Sequence, residues 1–198
     1  MNVVFDLGNV VFAWRPESLL RQVFDDAGVR DRVRQGILEH HDWVDLDRGS
    51  LSLDDAIDRG ASRTGLSRDE VATFLNAVPP SLTPIQETID LIAAVRTSGN
   101  GVYVLSNMHH ASIDYLERAH AIWNLFDGAV ISCRVNKVKP DLDIYEHLLA
   151  QHCLDAAATV FIDDLAENVV AARKVGIHPI QFTAPAQCRR ELRALGCL

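Results

Sequence analysis

The chain has 198 residues, a formal charge of −8 and a sequence pI near 5.4, with 48% of its residues apolar and 23% charged. That composition supports a buried core of ordinary domain size plus a small appendage, and it excludes wholesale disorder. The acidic balance argues against a nucleic-acid or anionic-membrane surface, so phosphate chemistry here needs a metal or a few well-placed Lys and Arg side chains.

Met1-Asn2 leads straight into Val3-Val4-Phe5 with no basic segment, long apolar core or small-residue cleavage site, which is not the pattern of a signal peptide. No stretch approaches the roughly 20 apolar residues of a membrane-spanning helix. Cys133, Cys153, Cys188 and Cys197 form no CxxC pair. Reduced thiols in a cytoplasm are therefore expected, without a disulfide framework or zinc site.

The first element, Val3-Val4-Phe5, is β-branched and aromatic without polar alternation and stops abruptly at Asp6. This is the pattern of a strand buried on both faces of a parallel sheet. From Trp14 to Leu82 no such run occurs. Ser52-Leu53-Asp54-Asp55 and Ser67-Arg68-Asp69-Glu70 read instead as capping boxes, with Val71, Phe74 and Leu75 on one helical face. Residues 14–82 are expected to form an insert of three or four helices, its return bracketed by Pro79-Pro80 and Pro84. His40-His41 and Trp43 fall in a polar turn of this insert. That turn reads as plain surface, with contact to a bound leaving group as the sharper alternative.

Strand and helix then alternate. Thr83-Pro84-Ile85-Gln86 predicts a capped helix start, followed by Ile85, Ile89 and Ile92 at helical spacing and a stop near Gly99. Val102–Leu105 is a second buried strand ending in Ser106-Asn107, and Ile113, Leu116 and His120 mark a helix after it. His109 and His110 are expected to begin that helix facing solvent. Ala129–Ile131 is a weaker strand, and Pro140-Asp141 opens a helix carrying Ile144, Leu148 and Gln151. Val160–Ile162 ends in Asp163-Asp164, with Asp164 expected to cap a helix through Val169, Ala172 and Val175 to Gly176. His178–Phe182 is the last strand candidate. The alternation predicts an α/β fold, a doubly wound parallel sheet, with residues 1–13 and 83–198 as its core.

In an open parallel sheet, ligands bind beyond the carboxyl ends of the strands. Asp6, Ser106, Asn107, Asp163 and Asp164 all lie at such ends. Three carboxylates brought together repel one another unless a cation neutralises them, and an all-oxygen set of this kind suits Mg²⁺.

Phe5-Asp6-Leu7-Gly8-Asn9-Val10, Leu105-Ser106-Asn107, Lys139-Pro140-Asp141 and Phe161-Ile162-Asp163-Asp164 resemble, in order, the four motifs of the haloacid dehalogenase (HAD) superfamily. They span nearly the whole chain, and the gap after the first is sized for a helical insert. The nearest likeness is the branch containing glucose-1-phosphate phosphatases and the phosphatase domain of soluble epoxide hydrolase. The resemblance implies a phosphatase in which Asp6 attacks phosphorus to form an aspartyl-phosphate. It implies Ser106 and the Asn107 backbone on the phosphoryl oxygens, and Lys139 between phosphate and Asp6. Mg²⁺ would be held by Asp6, Asp164 and the main-chain carbonyl of Gly8, with Asp163 holding a metal-bound water. Lys137 is the neighbouring decoy for Lys139.

One position departs from the pattern. Most HAD phosphatases carry a second Asp two residues after the nucleophile as acid and base, and here that place is Gly8. The leaving group is thus without an obvious proton donor, and the His40-His41 pair is the first place to look for one. Two rivals stay open: a metal-independent haloacid dehalogenase, against which the Asp163-Asp164 pair speaks, and a catalytically weak protein that binds a phosphorylated ligand or a protein partner. The expected partner is a small phosphorylated metabolite, a sugar phosphate among the candidates.

Overall fold

The computed structural model describes all residues, 1–198. Five parallel strands, β1 (Asn2–Phe5), β4 (Gly101–Ser106), β5 (Gly128–Ile131), β6 (Thr159–Asp163) and β7 (His178–Gln181), lie in the order β5-β4-β1-β6-β7. β2 (Phe12–Ala13) and β3 (Thr83–Pro84) form a separate antiparallel pair.

The strand residues are sorted by period 2 into two buried layers. Val3, Phe5, Val102, Val104, Val160 and Ile162 pack on one face against Leu91 and Ile92 of α6 (Gln86–Thr97), Ile113 and Leu116 of α7 (His110–Ala119), and Leu192 of α11 (Pro185–Ala194). Val4, Leu105 and Phe161 pack on the other against Ile144, Tyr145 and Leu148 of α9 (Leu142–Gln151) and Ala171 and Ala172 of α10 (Ala166–Lys174). Both faces are covered, which is why the strands read as unbroken apolar runs. A short helix, α8 (Ser132–Val135), follows β5. The chain is therefore a doubly wound α/β fold. It leaves β1 toward β4 and β5 and later returns to β6 on the other side, opening a crevice at the carboxyl end of β1.

Between β2 and β3 the chain is helical: α1 (Pro16–Val23), α2 (Ala27–Val33) running on through a π-helical turn (34–38), α3 (His41–Arg48), α4 (Leu53–Thr64) and α5 (Arg68–Ser81). These are five helices where the sequence suggests three or four, because three of them are of only seven or eight residues, which leaves little periodicity to separate them. They enclose a core of their own, including Leu20, Val33, Val71, Phe74 and Leu75. Ser67 and Glu70 close a reciprocal capping box, worth about 1 kcal/mol. At Ser52 the reciprocal half is missing, since the Asp55 carboxylate accepts from the Ser52 hydroxyl rather than from its backbone amide.

Other local expectations are corrected. Thr83 does not cap a helix; it lies in β3 opposite Ala13, and Ile85 N–H donates to Val11 O at 2.8 Å before α6 begins at Gln86. Pairing the outgoing and returning chain outweighs a local cap. Pro79 and Pro80 lie inside the last turns of α5 rather than beyond it. No helix is long and apolar enough to cross a membrane, and all four cysteines are free.

Candidate active site

Phe5 pairs with Val104 of β4 and with Ile162 of β6, so Asp6 and Asp163 leave the sheet side by side. Asp6 N–H still reaches Ile162 O at 2.9 Å, and Leu7 N–H turns back to Asp6 Oδ1 at 2.7 Å. Lys139 arrives from the loop after α8. Its ammonium lies 2.9 Å from Asp6 Oδ1, 2.6 Å from Asp163 Oδ2 and 3.2 Å from Leu105 O. Asp6, Lys139 and Asp163 are 7%, 4% and 0% exposed, so this is a buried charge cluster and not a surface pair. Lys137 instead pairs with Asp143 on the surface.

The surroundings hold this cluster in place. Asn107 clamps the Lys139 backbone from both sides, donating to its carbonyl at 2.9 Å and accepting from its amide at 2.8 Å. Asp163 accepts from Leu165 N–H at 2.8 Å and from Asn168 Nδ2 at 3.0 Å. Asp163, and not Asp164, thus tethers the start of α10, whose N-cap is Leu165. That frees the Asp164 carboxylate, which accepts from Asn9 Nδ2 at 3.2 Å. Asn9 has a φ of 54°, a left-handed angle that Asn tolerates, and its Oδ1 accepts from Trp14 N–H at 3.0 Å. Asn9 stands in the sequence only as part of the first motif, with no role assigned, although a Gly-Asn dipeptide after a strand is a turn signal.

Burial, joined by the nearby Asp163 charge, pushes Asp6 up to about 7 against the pull of Lys139. Burial alone would lower Lys139, but Asp6 and Asp163 outweigh it and hold the ammonium above its ordinary value. Burial likewise raises Asp164. The Ser106 hydroxyl lies near enough to Asp6 to favour its charge, yet it is buried with no partner of hydrogen-bonding geometry. Such an orphan costs about 1–3 kcal/mol unless a ligand takes it.

Asp6, Gly8, Asn9, Lys139 and Asp164 line a cleft of about 510 Å³ that also touches Trp14, Trp43 and Asp47. A recess of about 90 Å³ opens off it beside Gly8, walled by Trp14, Trp43, Val78, Leu82 and Met108, with Asp47, Asn107, His109 and Ser112 as its polar groups. Trp14 and Trp43 stack with ring centroids 6.1 Å apart, and His109 meets Trp43 edge-on. His109 is buried rather than solvent-facing, because α7 starts beneath the insert. Burial pushes it down to about 4, so its imidazole is neutral, 3.0 Å from Ser112 Oγ.

His40 and His41 line neither space. They flank Asp42, which Arg63 and Arg59 also grip, and His40 Nδ1 accepts from Asp42 N–H. Two arginines already neutralise that one carboxylate. The residue from this stretch that reaches the cleft is Asp47. Trp43 and Asp47 are four apart on α3 and share the face toward the site, while Asp42 and Leu46 share the buried face of the insert. That i,i+4 pairing was the available signal.

A family model described as haloacid dehalogenase-like hydrolase matches residues 64–182. The chain is 33% identical over 195 residues to a sesquiterpene phosphatase of Aspergillus oryzae, covering 98% of this chain and 96% of that protein. It is 23% identical to a D-ribitol-5-phosphate phosphatase of Bacteroides thetaiotaomicron, covering 98% and 97%. A HAD family enzyme of the same bacterium, solved in complex with magnesium and inorganic phosphate, superposes with a TM-score of 0.74 at 20% identity over 92% of this chain and 94% of that one.

Proposed function

The chain belongs to the haloacid dehalogenase-like hydrolase family and is a hydrolase of phosphoric monoester bonds, and we propose that it is a Mg²⁺-dependent phosphatase working through an aspartyl-phosphate on Asp6. One observation carries the reading: a buried ammonium, Lys139, bridges Asp6 and Asp163 at adjacent strand ends beside the partnerless Ser106 hydroxyl.

The donor set fits a hard divalent cation. Carboxylate oxygens of Asp6, Asp163 and Asp164 lie within 4.8 Å of one another. Against these three negative charges the immediate cluster offers one ammonium, a shortfall that a divalent ion makes good. Asp6, Asp164 and the Gly8 carbonyl would hold Mg²⁺, with Asp163 acting through a water. When bound, the ion neutralises charge on the phosphoryl group and on Asp6 together. Lys139 and the Ser106 hydroxyl serve the phosphoryl oxygens, with the Asn107 backbone beside them, and the Asn107 side chain fixes Lys139 in place. Asp6 attacks phosphorus, the ester oxygen departs, and water then cleaves the acyl phosphate. Such catalysis is mostly positioning and charge neutralisation. EDTA is expected to abolish turnover of para-nitrophenyl phosphate and Mg²⁺ to restore it. Absence of para-nitrophenyl phosphate turnover even with Mg²⁺, with 2-haloacids consumed in chelator, would favour the dehalogenase rival instead.

The recess supports a monoester whose alcohol is apolar near the ester oxygen. Trp14, Trp43, Val78, Leu82 and Met108 offer it carbon, and a volume of about 90 Å³ accepts a few carbons at a time. The relative named as a sesquiterpene phosphatase fits that chemistry. The sugar-phosphate reading draws on Ser112 and on the ribitol-5-phosphate relative, but gives most of the wall no partner. An isoprenoid alkyl monophosphate is expected to exceed ribitol 5-phosphate in kcat/KM by at least about tenfold, the worth of one or two buried methylenes. Trp43→Ala should erase most of that margin. Equal values in the wild-type enzyme would remove the apolar assignment.

A further inference from the structure

Gly8 presents no side chain, and the position is open. A Cβ built on it meets nothing within 4 Å, and its φ is not left-handed. Neither crowding nor backbone angle therefore demands glycine here. The space beside it is open, and the polar residue that the insert sends to line both the cleft and the recess at this point is Asp47.

We propose that Asp47, carried in from α3 of the insert, is the acid that protonates the leaving alcohol, in place of the side chain absent at Gly8. The inference rests on the phosphatase reading of the site.

The placement of Asp47 is built by the core. Ser132 Oγ donates to the Asp47 carbonyl at 2.5 Å and itself accepts from Met108 N–H at 2.8 Å. Asn136 donates to Arg48 O at 3.2 Å, and the Arg48 side chain pairs with Asp141 at 3.5 Å, both lining the same cleft as Asp47. Gly49 closes the helix with a φ of 80°, and a Cβ there would stand 2.6 Å from Cys133 O, so only glycine lets α3 sit this close to α8. These contacts tie the end of the insert helix to the floor of the site.

The protonation state suits the task. Burial pushes the Asp47 carboxyl up to about 7, and the Asp6 charge adds to that, while the His109 backbone amide, the Trp43 side chain and Lys139 pull it down. Cys133 is close enough for the Asp47 charge to raise its thiol, and it stays neutral. The His109 imidazole, neutral and engaged with Ser112, brings no charge. An acid of this strength transfers a proton well near neutral pH.

The step balances. Asp6 Oδ bonds to phosphorus, the bond from phosphorus to the ester oxygen breaks with its electron pair on oxygen, and the Asp47 proton moves there to give the free alcohol. In the second half a water attacks phosphorus, its proton returns to Asp47, and Asp6 and inorganic phosphate are released.

The test is single-turnover release of alcohol by the Mg²⁺-loaded enzyme and its variants. With a primary alkyl phosphate, Asp47→Asn should slow release by about 10²–10⁴-fold. With para-nitrophenyl phosphate, whose leaving group needs no proton, the loss should stay below about tenfold. The wild-type fall in alkyl-phosphate rate as rising pH removes the acid form of Asp47 should vanish in the variant. Gly8→Asp added to Asp47→Asn should recover part of the alkyl-phosphate rate, since the position has room. Equal losses on the two esters, or an unchanged alkyl-phosphate rate, in a variant that still forms phospho-Asp6 would overturn the role of Asp47. Failure of the wild-type enzyme to form phospho-Asp6 at all would overturn the phosphatase reading and this inference with it.

Discussion

Asp6→Asn should lower turnover of any phosphomonoester by about 10⁴-fold or more, the scale seen when a covalent nucleophile is removed. An amide oxygen is a poor nucleophile toward phosphorus, and Asn also removes one charge from the proposed cation site. The loss should come without unfolding. In chelator, the charged form of Asp6 is disfavoured by burial and by Asp163, with a folded value of about 7 against an ordinary 3.8. A carboxyl raised in this way contributes stability that is full below the unfolded value and is lost as pH rises to the folded one. Metal-free wild-type protein should therefore lose stability between about pH 4 and 7, and Asp6→Asn should lose less. Thermal melts in EDTA across that range check the second claim, and acid-quench trapping of phosphoenzyme checks the first. Retention of more than a few per cent of turnover, with deamidation excluded by mass spectrometry, would remove Asp6 from the nucleophile's role.

Lys139→Met should damage both folding and chemistry. The side chain is 4% exposed and its ammonium touches two buried carboxylates. Methionine fills much the same volume, so the deficit reports charge rather than a cavity. Breaking one side of a buried ion pair costs about 3–5 kcal/mol because the partner charge is stranded. For a chain of this size that is a fall in Tm on the order of 10 °C. The fall should be larger at pH 8 than at pH 5, since protonating Asp6 relieves the stranded charge, and largest in EDTA. Turnover should fall at least about 10²–10³-fold with one phosphoryl-oxygen donor lost. Lys137→Met is the control: that lysine pairs with the exposed Asp143, and such pairs are worth about 1 kcal/mol or less. Equal effects at the two lysines would contradict the placement of Lys139.

The amino-acid sequence by itself determined the α/β class and the strand ends on which the chemistry converges. Runs such as Val3-Val4-Phe5 and Val160-Phe161-Ile162 are legible because a strand covered on both faces must be apolar throughout, and an abrupt polar residue marks where it leaves the sheet. Asp6, Ser106, Asp163 and Asp164 were visible for that reason, and Lys139 through its resemblance to a motif. The same local logic misassigned Thr83 and Asp164 as helix caps. Their backbones and side chains had partners far away in sequence, Ala13 for the one and Asn9 for the other.

What only the tertiary structure decided is which side chains of the insert meet the core. His40 and His41 stood out as residue types, whereas Asp47 was one of several acids on an amphipathic helix. The seat of α3 on α8, through Ser132, Asn136 and the closely packed Gly49, turned Trp43 and Asp47 into the cleft and left the histidines flanking Asp42. Helical periodicity tells which residues share a face, but the direction of that face is set by contacts between elements some 85 residues apart, as with Asp47 and Ser132.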